Sequence, residues 1–541
     1  MKIQTLLLVC VFPFVLAFNV SNSKPLRILY ISSNVGKSHL TSNGRFADVL
    51  VDAGHEVDFL ISMWSRLILS NGTTKARVKR LWLPNTAEIE RAMLSISSWN
   101  DAFDAQITAA DWIAFGRMCS MHCDREFTSD LQSIFLLQLF LSNIKLHSEL
   151  LERKYDVAMA ESFDLCSFAL FRKLNIPSIH ETSNLPLNEY SALAHGIPID
   201  YENVPMYPNH DQIQPIRSFR DRVWNLYEMI KLLFYTLPRQ YGDAEAAIKR
   251  AFGPGFPSSI ELLRAVDYVW LNTNEQLEQP RALSSKIKSI GGIAVKKSGG
   301  LTEEMERLLN NCTEGAVLVS FGSIVDTTHM NRKLRDQFLK AFSRFPGFQF
   351  VWKVTRIDES LQSALKKHPN NTQTLVLSSL TGGLNSINEA ATFGVPLITI
   401  PFFGDQHINS AAVVSRGLAV ALDRRRISAD SVASALTRVL RSSKFELTAK
   451  DVERKIASAP ISLSELFVRH VEFAAQHGGL RELQLPAASQ SLWRQLSLDV
   501  WLTLLSGLVL LSVISLWSLR VALNFVTNQL LLVTVDKKKC D

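Results

Sequence analysis

The stretch 26–61, LRILYISSNVGKSHLTSNGRFADVLVDAGHEVDFLI, decides the fold. RILYIS is continuously apolar enough for a strand buried on both faces, and NVGKS is a turn. Residues from about His39 to Ala53 carry helical periodicity, Gly54 stops that helix, and EVDFLI is the next strand. Strand, helix and strand in that order make a βαβ unit, hence a parallel sheet with helices packed on it. The pattern returns at 155–179, YDVAMAESFDLCSFALFRKLNIPSI, again as strand, loop, helix and strand.

Working outward, a polar, turn-rich passage at 272–293, NTNEQLEQPRALSSKIKSIGGI, reads as a crossing between domains. A second alternating series follows it. GAVLVSFGS (315–323) is a strand and a glycine turn, MNRKLRDQFLKAFSRF (330–345) a helix, and FQFVWKV (348–354) a strand. The fold class expected is α/β, with two Rossmann-like domains at 18–285 and 286–495 facing a cleft. Ligands of such domains bind at the carboxyl ends of the strands.

A chain of 541 residues is too long for one core, which agrees with two domains. With 47% hydrophobic and 20% charged residues it is globular. A net charge of +7 without a basic stripe interleaved with aromatics gives no reason to expect a nucleic-acid partner. At the start, Lys2, an apolar run from Leu6 to Leu16 and the small Ala17 make a secretory signal peptide over residues 1–17. At the end, Val500 to Leu519 is uncharged for 20 residues, with Trp501 and Trp517 near its ends, and reads as one transmembrane helix over 500–519. Arg520 and the closing VDKKKCD make 520–541 a basic cytoplasmic tail, with Lys538 and Lys539 resembling a dilysine retrieval signal. The expected topology is single-pass type I in the endoplasmic reticulum membrane, with the body in the lumen. Cys119, Cys123, Cys166 and Cys312 would then be luminal and serve core packing or one bridge. The sequons at Asn71, Asn311 and Asn370 are compatible with that placement.

His39 stands where the first strand hands over to the first helix, behind Gly36 and Ser38, where such a domain presents side chains to ligand. Glu161 and Asp164 occupy the same kind of loop after a later strand. A carboxylate there could accept the imidazole N–H and leave the other ring nitrogen to take a proton. Spacing does not decide which of the two does so, and Asp164 is equally suited to cap a helix.

In the second domain, 378–409 reads SSLTGGLNSINEAATFGVPLITIPFFGDQHIN. Gly382 and Gly383 open a helix, so backbone N–H groups with no β-carbon in the way make a phosphate site to which Ser386 can add a hydroxyl. Glu389, three residues beyond Ser386 on the same face, suits a ribose diol. VPLITIPFF is a buried strand, and Asp405 and Gln406 in the loop after it suit the hydroxyls of a sugar.

From about residue 26 onward the chain resembles the membrane-bound UDP-glycosyltransferases of animals, the family that includes the UDP-glucuronosyltransferases. The resemblance rests on GKSH, AGHEV, NTNEQLEQPRAL before IGGI, FGS, GGLNSINEA, VPLITIPFFGDQHIN, the anchor and the dilysine tail. It implies the two-domain GT-B fold, with a small lipophilic acceptor on the first domain and a UDP-sugar, as co-substrate and not cofactor, on the second. It implies that His39 is the base, with Glu161 where the family usually has a partner aspartate. It further implies that Gly322, Ser323, Gly382, Gly383 and Ser386 line the donor phosphates, Glu389 holds the ribose, and Asp405 and Gln406 hold the donor sugar. The implied reaction is a single inverting displacement with no metal, and homo- or hetero-dimers are typical of such enzymes.

Two family features are absent. The family has a histidine before the glycine pair, where this chain has Thr381, and a Trp-x-Pro-Gln segment upstream that has no counterpart here. By comparison roughly a strand and its loop are missing between about Lys367 and Thr381. Both a real divergence and an altered exon junction account for that. Losing a ring that stacks on uracil would remove on the order of 1–3 kcal/mol, about one or two decades of donor affinity. A catalytically weak or inactive partner of active relatives is therefore the alternative expectation, and a lectin-like binder stands third.

Overall fold

The computed structural model describes residues 24–82, 144–206, 218–293, 303–322, 330–354, 359–367, 372–375 and 383–537, apart from single positions within them, and a few isolated residues between. The expected signal peptide, Cys119, Cys123, Ser323, Thr381, Gly382 and the dilysine pair lie outside the described residues.

The opening stretch folds as β1 (Arg27–Ser33), α1 (Lys37–Asp52) and β2 (Glu56–Met63). Helix α1 starts two residues before His39 and buries Leu40, Phe46, Ala47 and Leu50, the stripe that the helical period provides. After β3 (Arg77–Trp82) come β4 (Val157–Glu161), α2 (Leu165–Lys173) and β5 (Ser178–Ser183). A long helical run follows as α3 (Phe219–Lys231), a π-helical turn (Leu232–Thr236) and α4 (Leu237–Phe252). Pro238 lies just past that turn and has no N–H to give, which accounts for the widened hydrogen bonding before it. Strands β6 (Tyr268–Leu271) and β7 (Ile287–Ser289) complete one seven-stranded sheet in the order β3-β2-β1-β4-β5-β6-β7.

Every pairing in that sheet is parallel. The strand order reverses between β1 and β4, which makes the carboxyl end of that pair the switch point of a doubly wound sheet. Because β7 pairs with β6, the first sheet runs past the expected boundary at residue 285, and the crossing follows it.

The second half holds β8 (Gly315–Val319), β9 (Phe348–Lys353), β10 (Thr372–Leu375), α5 (Leu384–Thr392), β11 (Leu397–Thr399), α6 (Gln406–Ser415) and β12 (Ala419–Ala421). These strands do not make one sheet. Strands β10, β9 and β8 form one, and β11 and β12 another, both parallel. Between β8 and β11 lies a cavity of about 770 Å³ lined by Val317, Val319, Leu397 and Thr399. VPLITIPFF, expected to be a buried strand, is a strand only at Leu397–Thr399 and is half-buried, because among the described residues it has a neighbour on one edge alone.

Helix α7 (Leu463–His477) returns to the first domain. There Phe467 meets Trp270 edge-on at 4.7 Å and packs near Phe46. Helix α8 (Leu498–Lys537) is 40 residues long. Its portion Leu498–Asn528 is long and apolar enough to cross a membrane, and its most apolar stretch is not buried against the described residues. The expected span 500–519 lies within it, and the helix continues without a break through Arg520.

Candidate active site

The adjacency of β1 and β4 brings His39 and Glu161 together. His39 lies in the first turn of α1, after β1, and Glu161 ends β4. His39 Nδ1 stands 2.5 Å from Glu161 Oε1. An ionised carboxylate only accepts, so Nδ1 donates and the neutral ring carries its lone pair on Nε2. Phe163 meets the imidazole edge-on at 5.8 Å.

Glu161 is 2% exposed, and both of its oxygens have further hydrogen-bond partners. Asn43 Nδ2 donates to Oε2 at 3.1 Å, and Asn184 Nδ2 donates to Oε1 at 3.2 Å. Asn184 also donates to Asn43 Oδ1 at 2.8 Å, and the Tyr30 hydroxyl donates to the same oxygen at 3.1 Å. A buried carboxylate so fully bonded is fixed in position. Asp164, the other candidate, caps α2 instead: it accepts from Ser167 N at 3.2 Å and from Ser167 Oγ at 2.7 Å.

Burial disfavours the charged imidazole, but the Glu161 charge and hydrogen bond, helped by Asp405, outweigh it and raise the His39 pKa above its ordinary value. Asp405 faces His39 from the second domain at the start of α6. Burial pushes its carboxyl up to about 6, against the lowering effect of His39 and of Asn409, whose Nδ2 donates to Oδ2 at 2.6 Å. Gln406 opens α6 and turns its Oε1 back to accept from Phe402 N at 2.9 Å, which leaves its NH₂ for a ligand.

Helix α5 is the other contribution of the second domain. Gly383 stands at its start in extended conformation with open space around it, so room for a close ligand is present. Ser386 and Glu389 both border the cavity beside β8 and β11, as their spacing implies. Glu389 faces Arg45 of α1 at 3.7 Å across the cleft. Burial raises the Glu389 pKa and Arg45 holds it back. Gly322 turns the chain after β8 at φ +93°, a region that side chains disfavour, and its carbonyl accepts from Lys353 Nζ at 3.4 Å.

Several residues here escaped sequence reasoning. Asn43 and Asn184 complete the Glu161 network, and their only signal was position at strand ends and on the first helix. Asn385 links the domains: its Nδ2 donates to Ser42 Oγ at 2.8 Å, and its Oδ1 accepts from Asn272 Nδ2 at 2.8 Å. Lys353 ends β9, and burial, then the like charge of Lys37 on α1, holds its pKa below the ordinary value. Lys353 therefore stands at the Gly322 turn, within electrostatic reach of Lys37 on the first domain.

The family profile described as UDP-glucoronosyl and UDP-glucosyl transferase matches residues 27–530. A putative UDP-glucuronosyltransferase of Caenorhabditis elegans, ugt-46, is 27% identical over 514 residues, covering 90% of this chain and 92% of that protein. Human UDP-glucuronosyltransferase 3A1 is 26% identical over 515 residues, covering 90% and 91%. Among solved structures, a UDP-glucosyltransferase from Polygonum tinctorium capable of glucosylating indoxyl superposes with a TM-score of 0.54 at 15% identity, covering 84% of this chain and 99% of that one. The glycotransferase of kitacinnamycin gives 0.52 at 17% identity, covering 86% and 100%. At such identities the likeness shows the fold, which is GT-B. With a profile match across nearly its whole length, the chain belongs to the UDP-glucoronosyl and UDP-glucosyl transferase family.

Proposed function

We propose that the protein transfers a hexosyl or glucuronosyl group from a UDP-sugar to a hydroxyl of a small lipophilic acceptor, with inversion and without a metal. The observation that carries this reading is the His39–Glu161 hydrogen bond at the switch point, with Asp405 facing it from the other domain. His39 Nε2 takes the acceptor proton as the acceptor oxygen attacks the anomeric carbon, and UDP leaves in the same step. Glu161 holds the Nδ1–H tautomer and stabilises the imidazolium that forms. Asp405 and the Gln406 amide hold the sugar, Glu389 exchanges Arg45 for the ribose, and the start of α5 with the Gly322 turn faces the departing diphosphate.

The protein is read as a single-pass type I protein of the endoplasmic reticulum membrane, anchored by α8. The buried, disulfide-bonded Cys166 supports an oxidising compartment for the body. A second reading, a catalytically silent anchored partner of active relatives, draws on one observation, the divided sheet of the donor domain. The intact His39–Glu161 network ranks catalysis first. Calorimetric titration of UDP into the full chain in detergent tests the choice. Saturable binding is expected; a folded sample that takes up no UDP overturns the catalytic reading and leaves the partner.

A further inference from the structure

Helices α1 and α5 face each other across the cleft, and two contacts give their relative sense. Asn385 Nδ2 donates to Ser42 Oγ at 2.8 Å, and Glu389 faces Arg45 at 3.7 Å. The partners rise in number together, so the two helices start toward the same end, with His39 in the first turn of α1 and Gly383 at the start of α5. Neutral bonds hold α5 in place there. Asn385 Oδ1 accepts from Asn272 Nδ2 at 2.8 Å, and Asn388 Nδ2 donates to the Asn272 carbonyl at 2.8 Å.

The charged contact is of another kind. The Arg45 side chain is 33% exposed and that of Glu389 29%. An ion pair so open to water is screened and costs little to break. The α1–α5 contact can therefore lose its charged pair and keep its neutral bonds. Arg45 and Glu389 border the same cavity as Ser386, which stands one helical turn before Glu389 on α5.

Arg45 follows His39 by six residues on α1, about 9 Å along the helix at 1.5 Å per residue. Side chains of a helix lean toward its N-terminus, so the long Arg45 stem has its reach on the side of His39, Ser386 and Gly383. In the proposed donor complex the anomeric carbon stands at His39 and the ribose at Glu389. The diphosphate is the part of the donor between those two points. A guanidinium is always charged, and its planar fork matches the oxygens of a phosphate.

We propose that Arg45 is a donor-binding residue of the first domain that changes partner: the donor ribose takes Glu389 from it, and Arg45 turns back by one helical turn, toward Ser386, to hold the donor diphosphate. This rests on the reading of the cleft as a UDP-sugar site, and the test separates the two. UDP is titrated by calorimetry into the full chain in detergent, and uridine is titrated by competition against UDP, for wild type, Arg45→Met and Arg45→Lys. In Arg45→Met the affinity for UDP is expected to fall roughly ten- to hundredfold, the range for a lost charge-assisted contact. The affinity for uridine is expected not to fall, because Glu389 stays open to the ribose. Arg45→Lys keeps the charge without the fork and is expected to lie between wild type and Arg45→Met for UDP. An unchanged UDP affinity in Arg45→Met overturns the assignment, and a higher one overturns it by making Arg45 only a competitor for Glu389. Equal losses for UDP and uridine overturn it as well, since the substitution then disturbs the whole pocket. A wild-type protein that binds no UDP overturns the UDP-sugar reading and the assignment together.

Discussion

The two halves of the molecule present parallel sheets to one cleft, and they differ in continuity. In the first, seven strands hydrogen-bond in unbroken series, and the switch-point carboxylate has partners for both its oxygens. In the second, three strands and two strands stand apart with a cavity of about 770 Å³ between them. The place where the family resemblance leads us to expect a missing segment falls in chain order between β9 and α5, within the same half. A sheet that has lost a strand keeps its outer helices and strand-end loops but loses the ladder that holds them in register. The difference separates two kinds of site residue. His39 and Glu161 are placed by a complete core, whereas Gly322, Ser386 and Glu389 border a gap.

The most severe test of the complete half is His39→Ala. Loss of a general base is expected to lower turnover by about 10²–10⁴, or roughly 3–5 kcal/mol at 1.36 per decade. UDP affinity, which the proposed function assigns to the second half, is expected to stay unchanged in calorimetry. Undiminished turnover would remove the base from the mechanism. A fall in UDP affinity would show that the two halves are not as separable as their sheets.

Phe59→Ala tests the core behind that site. Phe59 is fully buried on β2 and meets Tyr30 edge-on at 5.4 Å, and Tyr30 in turn holds Asn43 of the Glu161 network. Removing a buried Phe from a packed core costs about 3–5 kcal/mol, to be read as a lower denaturant midpoint for the phase reporting on the first domain. A cost under about 1 kcal/mol, near the level of a surface change, would mean that the first core is not close-packed around Phe59.

How much of this was legible in the sequence follows the same division. The strand–turn–helix units were readable from periodicity, and they put His39, Asp405 and Gln406 at strand ends. The choice between Glu161 and Asp164 was not, because it depends on β1 lying beside β4, a fact of topology that spacing within one segment does not contain. The three-residue β7 was too short to carry a pattern, so the boundary was set early. The docking of α7 on Trp270 and the Arg45–Glu389 contact join residues far apart in sequence, and only the fold pairs them. The half-burial of β11 was not legible either: an apolar run looks the same with or without a neighbour.

Glu161→Gln probes the first site more gently. The amide oxygen can still accept from Nδ1, but the charge that raises the His39 pKa is gone, and burial acts against Asp405 alone. The wild-type rate is expected to fall as pH drops through a His39 pKa above its usual range. In the variant that acid limb moves to lower pH, because the imidazole loses its proton more readily, while the plateau drops roughly ten- to hundredfold. A limb that does not move would mean that another group titrates.

The smallest effect belongs to the divided half and sharpens the comparison most. Leu318 lies on β8 beside the gap and is 54% exposed, although it occupies a strand that should be central. If the gap stands open in solution, Leu318→Thr removes little packing and puts a β-branched residue of good strand preference in its place, so stability should move within about 0.5 kcal/mol. A loss above roughly 2 kcal/mol would be the cost of deleting apolar contact from a filled core. Something must then occupy the space between β8 and β11, and the contrast between the halves would reduce to chain composition. Denaturant midpoints for Leu318→Thr and Phe59→Ala, measured side by side on the full chain, therefore decide whether the second sheet is divided in the folded protein.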